Sequence, residues 1–431
     1  KSQLKSLNSP EKAKFSYRRI PLLMSSSGAT NGEEPLMKRP KKKKKPSLVL
    51  TQTSSSQSTP IPSLPDDLVI SCFARISRLH YPALSLASKS FRSHLASPEL
   101  YETRSLLGRA ESCLYVCLQF PPYPNPNPRW FTLCRKPDRT RTNDNTSEKK
   151  KKKETSSGNI LVPIPVPKSP QTHWQGVVAV GSSIYSIGGS SHDSPSSSVW
   201  VLDCHGHAWR KAPNMLVERS YPAAIVFGGK IYVAGGCRDF DSSNWIEVFD
   251  PKTQIWELVM CPIAERCKSS IYKSAVVEGR IFYMFGNEGV AYKPEEDSWE
   301  AIGALTYFDL GWPWRSYCVI DNVLCCFSNS DGLEWYDSKR QNWMKMRGLR
   351  GLPKFAGYGC VKMADFGGKL AVFWTKYYRA SGYKEKRVWC AVIAIERRNG
   401  DKEIWGTVEW VDPVLTIPTS FDFVRALSAT V

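Results

Sequence analysis

Long apolar runs are missing from this chain. No segment approaches the ~18 consecutive apolar residues that a membrane-spanning helix requires, so no membrane partner is expected. The N-terminus lacks the charged–apolar–small pattern of a secretory signal, which points to an intracellular protein. A disulfide framework is missing too: the 13 cysteines are odd in number, and Cys117, Cys134, Cys325, Cys326 and Cys390 sit inside strand-like runs. Reduced, buried thiols are the expectation. Histidine is scarce, six in 431 residues, which leaves a metal centre few nitrogen ligands. Walker-type loops, nucleophile elbows and His-Glu-x-x-His pairs are all absent. The expectation is a protein with no catalytic residues, no cofactor and no metal.

Positive charge is abundant but badly placed for nucleic acid. Residues 1–60 carry 13 Lys/Arg against 3 Glu, and 139–154 carry 7 against 3, which accounts for +14 of the net +19. The remainder is no groove-lining field, so nucleic acid is not an expected partner. Residues 1–60 are Ser/Pro/Lys-rich and read as a disordered basic tail. The first Met is Met24, and residues 1–23 are given no structural role. The cluster Lys38–Pro46 suits an acidic importin groove or serves as a plain solubilising run, so location is read as nucleus and/or cytoplasm. The second basic segment reads as a low-complexity insertion, 139–159.

Tryptophan is plentiful and regularly placed. It follows a turn residue by six positions at Asp203…Trp209, Asp250…Trp256, Lys293…Trp299 and Asp337…Trp343, and the Trp residues step by 47, 43 and 44. A period of that size means a repeat architecture. Each unit runs strand, small turn, and a second strand ending in Gly-Gly or its remnant (Gly188-Gly189, Gly235-Gly236, Gly286). An aromatic third strand and a Trp-bearing fourth complete it. Four antiparallel strands per unit around an axis make a β-propeller blade. With 360–410 as a divergent unit and Cys113–Lys136 as an incomplete one, the count is six blades. Val424–Val431 reads as a first strand lacking partners, while the unit at Cys113 lacks a first strand; the C-terminus is expected to close the ring.

These units resemble the kelch repeat, most clearly at 175–215 and 222–262. Ahead of them, residues 62–96 resemble the F-box: Leu64, Pro65, Asp66, Asp67, Leu68, Phe73 and Ile76, then Leu84, Leu86, Ser88, Lys89, Phe91 and Arg92. Ala87 stands where the family usually has Val, and Phe91 where Trp is commoner; both stay apolar. The combination is similar to the plant F-box/kelch proteins. The expected organisation is a disordered tail at 1–60, a small three-helix F-box unit at 61–107, and a six-bladed kelch propeller at 108–431, mostly β.

The resemblance implies a substrate-recognition subunit of an SCF-type E3 ubiquitin ligase. Its F-box would dock on a Skp-family adaptor and thereby a cullin–RING ligase, while the propeller holds an unknown protein target. The alternative is a kelch interaction scaffold outside any ligase. An apolar face of Leu64, Pro65, Leu68, Phe73, Ile76, Leu84, Leu86 and Phe91 is assigned to the adaptor, because a unit this short can hardly bury them alone. Strand alternation puts the loops between strands two and three, and those leading from one blade to the next, on one face of the propeller. The target-binding candidates there are Arg219, Arg266, Trp312, Trp314, Arg315, Tyr377 and Tyr378. The three arginines fit structural ion pairs equally well. Cys204-His205-Gly206-His207 is the one Cys/His cluster; a copper oxidase would need it, but it occupies the turn ahead of Trp209 and reads as a turn.

Overall fold

The computed structural model describes residues 64–122, 127–136, 157–166, 169–171, 173–189, 194–239, 241–271, 273–285, 288–302, 316–328, 332–340, 342–353, 361–400 and 402–431. The basic tail, most of the insertion and the 303–315 segment lie outside them. No helix among the described residues is long and apolar enough to cross a membrane.

Six four-stranded antiparallel sheets form the blades, written here from the axis outward. Blade 1 is Asp422–Thr430, Ser112–Phe120, Asn127–Arg135 and Asn159–Pro163. Blade 2 is Val177–Val180, Ser183–Ile187, Val199–Asp203 and Ala208–Ala212; blade 3 is Ala223–Phe227, Lys230–Ala234, Ile246–Asp250 and Ile255–Val259. Blade 4 is Lys273–Val277, Arg280–Met284, Gly289–Lys293 and Ser298–Ile302; blade 5 is Tyr317–Ile320, Val323–Ser328, Gly332–Asp337 and Asn342–Lys345. Blade 6 is Val361–Asp365, Lys369–Tyr377, Glu385–Arg398 and Glu403–Pro418. Each innermost strand touches the next, from Asp422–Thr430 round to Val361–Asp365 and back.

The C-terminal strand closes the ring. It pairs with Ser112–Phe120 from Ser112↔Thr430 to Gln119↔Asp422, so the last residues of the chain supply the inner strand of the first blade. Closure removes the open inner edge that blade 1 would otherwise present.

The six-residue spacing has a physical cause. The Trp occupies the same register in successive blades: Leu202↔Trp209, Phe249↔Trp256, Tyr292↔Trp299 and Tyr336↔Trp343. The aspartate that precedes it accepts hydrogen bonds from the turn, Asp203 from the His205 and Gly206 amides, Asp250 from Lys252, and Asp337 from Lys339 and Arg340. An Asp whose carboxylate holds the amide two residues on fixes such a turn. The Trp then covers its aromatic neighbour, with ring centroids 4.8 Å apart at Phe249–Trp256 and 4.4 Å at Tyr292–Trp299.

The Gly-Gly step marks where the connections entering and leaving a blade cross its second strand's end. Gly236 has φ +76, and a Cβ there would lie 2.4 Å from the Ser220 carbonyl. Only glycine meets both demands.

The helical unit contains four short helices rather than three: α1 (Asp66–Ala74), α2 (Tyr81–Leu84), α3 (Lys89–Leu95) and α4 (Pro98–Leu106), with a 3-10 turn at Arg78–His80. Pro82 and Pro98 each open a helix, since a missing N–H costs nothing in the first turn. Pro65 stands one residue ahead of α1 and not within it, with Asp66 and Asp67 in the first turn.

Candidate adaptor-binding and target-binding surfaces

The helical unit is not a freestanding bundle. Phe73, Ala74, Tyr81, Leu95, Leu100 and Tyr101 share one core with Tyr115, Cys117 and Trp130 of blade 1 and with Leu202 and Cys204 of blade 2. Polar contacts pin the same seam. Arg78 donates to the Cys204 carbonyl at 3.0 Å, and the Tyr101 hydroxyl lies 3.4 Å from the His205 carbonyl. Arg104, only 2% exposed, donates to the carbonyls of Ile76 (2.8 Å) and Arg109 (2.7 Å), to the Tyr81 hydroxyl (3.1 Å) and to Glu111 (2.9 Å). Glu111 also accepts from the Arg78 amide. A buried arginine is tolerated when paired and hydrogen-bonded in this way.

The Cys204–His207 segment belongs to this seam. His205 packs on Tyr101 with ring centroids 4.3 Å apart, and the His207 Nε2 lies 3.2 Å from the Tyr115 hydroxyl. Burial, reinforced by the Arg78 cation, pushes the His207 imidazole down to about 4. Burial likewise pushes the Cys204 thiol up to about 12. A neutral histidine and a protonated thiol suit a packing role.

The eight residues assigned to the adaptor separate into two groups. Leu64 (62% exposed), Leu68 (52%) and Leu86 (75%) stand in solvent, as does Pro65. Phe73 is buried, against Phe91 at 4.9 Å in an edge-on pair, while Ile76, Leu84 and Phe91 are half-buried on the shared core. Those four support the surface from beneath. Leu106, 88% exposed, adds an apolar side chain that the sequence reading did not single out.

The helical unit sits on the propeller face made by the turn between strands three and four of blade 2 and by neighbouring turns. The loops chosen for target binding lie at the other face. There, short bridges Gly189↔Ser220 and Ser196↔Arg219 tie the second-to-third loop of blade 2 to the connection entering blade 3. Arg219 does not reach the surface. It is fully buried, bonded to Glu247 at 2.7 Å and donating to the carbonyls of Gly235, Trp245 and Asn244, so it is a structural ion pair and not a contact residue. Arg266 is exposed, on the 3-10 turn Ala264–Arg266. Trp312, Trp314 and Arg315 lie outside the described residues.

Tyr377 and Tyr378 are part of a larger cluster. Tyr377 is 54% exposed with the Lys386 ammonium 4.9 Å from its ring, and Arg387 lies 3.8 Å over Tyr378. Lys386 also approaches Phe421 at 5.7 Å, and Arg129 lies 5.0 Å over Phe120, which carries the cluster across the closure from blade 6 to blade 1. The hairpin 376–387 holds five Lys/Arg and one Glu. A hollow of about 400 Å³ on this face is lined by His173, Tyr221, Arg238 and Ser270 among others.

Comparison with known proteins agrees with this architecture. Residues 61–103 match the F-box domain family and residues 130–415 match the FKB95, Kelch-repeats domain family. The chain is 56% identical to F-box/kelch-repeat protein At4g39550 of Arabidopsis thaliana over 87% of its own length and 95% of the relative's. It is 51% identical to F-box/kelch-repeat protein At4g39570 (86% and 93%) and 54% identical to F-box/kelch-repeat protein At5g49000 (87% and 96%), both from the same plant. A mostly β propeller of six blades behind a helical head, with both halves matched, makes this chain a member of the F-box/kelch-repeat family.

Proposed function

We propose that this protein is the substrate-recognition subunit of an SCF-type E3 ubiquitin ligase and performs no chemistry of its own. The observation that carries the reading is the division of the F-box residues: Phe73, Ile76, Leu84 and Phe91 lie in or against the core that the head shares with the propeller, and Leu64, Pro65, Leu68 and Leu86 remain as an exposed apolar surface uncovered by any described residue. An apolar helical face of this kind suits a partner's groove, here that of a Skp-family adaptor. A target would bind at the other end of the propeller, where Tyr377, Tyr378, Lys386 and Arg387 supply the aromatic and cationic residues that dominate protein interfaces. The excess of positive charge there favours an acidic segment of the target. The same reading would place the protein in the nucleus and/or cytoplasm, where the lysine run 38–45 suits an importin groove.

The test is capture of a purified Skp-family adaptor by the full chain and by Leu64→Ala/Pro65→Ala. Wild type is expected to bind and the double variant to lose binding at unchanged circular dichroism. Equal binding by both would refute the adaptor surface. Absence of binding by folded wild type would favour the non-ligase scaffold.

A further inference from the structure

The ring of innermost strands encloses a hollow of about 490 Å³ on the propeller axis, lined from all six blades by residues that include Trp174, Ser274, Tyr317, Asp365 and Arg425. Its walls are tied across blades: the Tyr317 hydroxyl of blade 5 donates to the Ser274 carbonyl of blade 4 at 2.9 Å and accepts from the Ser274 amide at 3.0 Å. One cation in the wall lacks a carboxylate. Arg425, in the closing strand, has an Nε sealed from water with no hydrogen-bond partner, and no carboxylate pairs with it among the described residues. Its neighbour is the Trp174 ring, 5.9 Å from the guanidinium carbon.

Arg425 is half-buried, and the contrast with the two fully buried arginines is informative. Arg219 is matched by Glu247 and three carbonyls, and Arg104 by Glu111 and three carbonyls. Both guanidinium groups that tie the fold together have a carboxylate partner, although the Arg104 Nε, like that of Arg425, is sealed without an acceptor. Buried polar groups are ordinarily satisfied, and an exception calls for a cause. Burial also penalises the charged form of Arg425 and lowers its pKa from the ordinary arginine value, a cost that an incoming anion would offset.

Charge is separated along the hollow. Trp174 precedes the inner strand of blade 2 and Lys362 opens that of blade 6, with the Lys362 ammonium 6.0 Å from the Trp174 ring, so this cationic end lies toward the target face. Asp365 and Asp321, at the far ends of their inner strands, mark the opposite end. Burial and the neighbouring Asp321 raise the Asp365 pKa, which is the sign expected of carboxylates that face no cation. An anion in the hollow is therefore drawn to one end and repelled from the other.

We propose that the axial hollow is a binding site for a small oxyanion, the carboxylate of an organic acid or the phosphate of a phosphate ester, with Arg425 as the residue that grips it. The proposal stands independently of the ligase reading. The test is calorimetric titration and thermal unfolding of the full chain with inorganic phosphate, citrate and benzoate, against chloride at matched ionic strength. Wild type is expected to bind at least one probe and to unfold at a higher temperature in its presence. Response to phosphate alone identifies a phosphate ester, and response to citrate or benzoate alone a carboxylic acid; either supports the proposal. Arg425→Gln is expected to fold with little loss of thermal stability, since no carboxylate is stranded and only the distant Trp174 ring contact is given up, and to bind on the order of tenfold or more weakly. Arg425→Lys keeps the charge but not the planar fork, and is expected to fold and bind more weakly than wild type. No response by wild type to any probe, or equal affinity in wild type and both variants, overturns the proposal, as does failure of both variants to fold.

Discussion

Removal of the Arg104 side chain should loosen the F-box helices from one another and from the link into blade 1. Arg104 lies on α4 and its guanidinium reaches the chain ends of α1 through the Ala74 (3.3 Å) and Ile76 (2.8 Å) carbonyls, the Tyr81 hydroxyl and the Glu111 carboxylate. Arg104→Ala deletes these bonds at once and strands Glu111, which is half-buried, with only the Arg78 amide. Breaking a buried ion pair from one side costs about 3–5 kcal/mol, and each buried carbonyl left without a donor about 1–3 kcal/mol before water reaches it. Water entry at the seam trims the second contribution, so about 3–5 kcal/mol is the expected total. At ~1.4 kcal/mol per decade, amide hydrogens of α1 and α4 should exchange roughly a hundred to a few thousand times faster. Strands of blades 3 to 5 share no contact with this network and should keep their protection. Hydrogen exchange with mass spectrometry on the variant distinguishes the outcomes. Unchanged exchange in α1, or equal acceleration everywhere, would refute the idea that Arg104 clamps α1 and α4 to the link into blade 1.

Two further outcomes follow from the interior charges and the histidine turn. Arg219→Leu should destabilise the propeller by about 3–5 kcal/mol, because Glu247 stays buried without its cation, and the thermal midpoint should fall by about 4–6 °C; Arg266→Ala, at an exposed site, should leave the midpoint unchanged. The His207 imidazole titrates at about 4 in the fold, below its ordinary value near 6.5, so below pH 6.5 the unfolded chain takes up a proton that the folded chain refuses. Stability from this group is therefore complete above pH 6.5, declines as pH falls toward 4, and is then flat. The loss between pH 6.5 and 5 is about 2 kcal/mol, less whatever solvent screening removes at this half-buried ring. Urea unfolding at the two pH values checks it, and His207→Gln should flatten the difference; equal slopes in both proteins would sink the assignment.

What the amino-acid sequence by itself determined is whatever depends on local pairing. The Asp…Trp spacing of six encodes a turn held by the Asp carboxylate and a Trp set opposite the same aromatic position in each blade, so the repeat, its strand order and its number were legible. The apolar tail Val424–Val431 announced a strand in need of a partner, and pairing with Ser112–Phe120 supplies it. The F-box pattern was equally plain in the residues from Leu64 to Arg92. Only the tertiary structure decided which of these residues face solvent. Phe73 and Leu68 share one short helix and one hydrophobic character, yet the packing of α1 on α3 and α4 covers the first and leaves the second exposed, because burial depends on which face of α1 meets its neighbours. Arg219 and Arg266 hold similar places in adjacent connections, and Glu247 across the blade separates the buried one from the exposed one. Arg104 offered a sequence signal, a charge on the helix stripe of Leu100 and Tyr101, but two of its acceptors, the Ala74 and Ile76 carbonyls, lie about thirty residues upstream and could not be read in advance. Arg425, Trp174 and Lys362 are far apart in the chain and meet only because six blades close on one axis, so a site made of them carries no local periodicity at all.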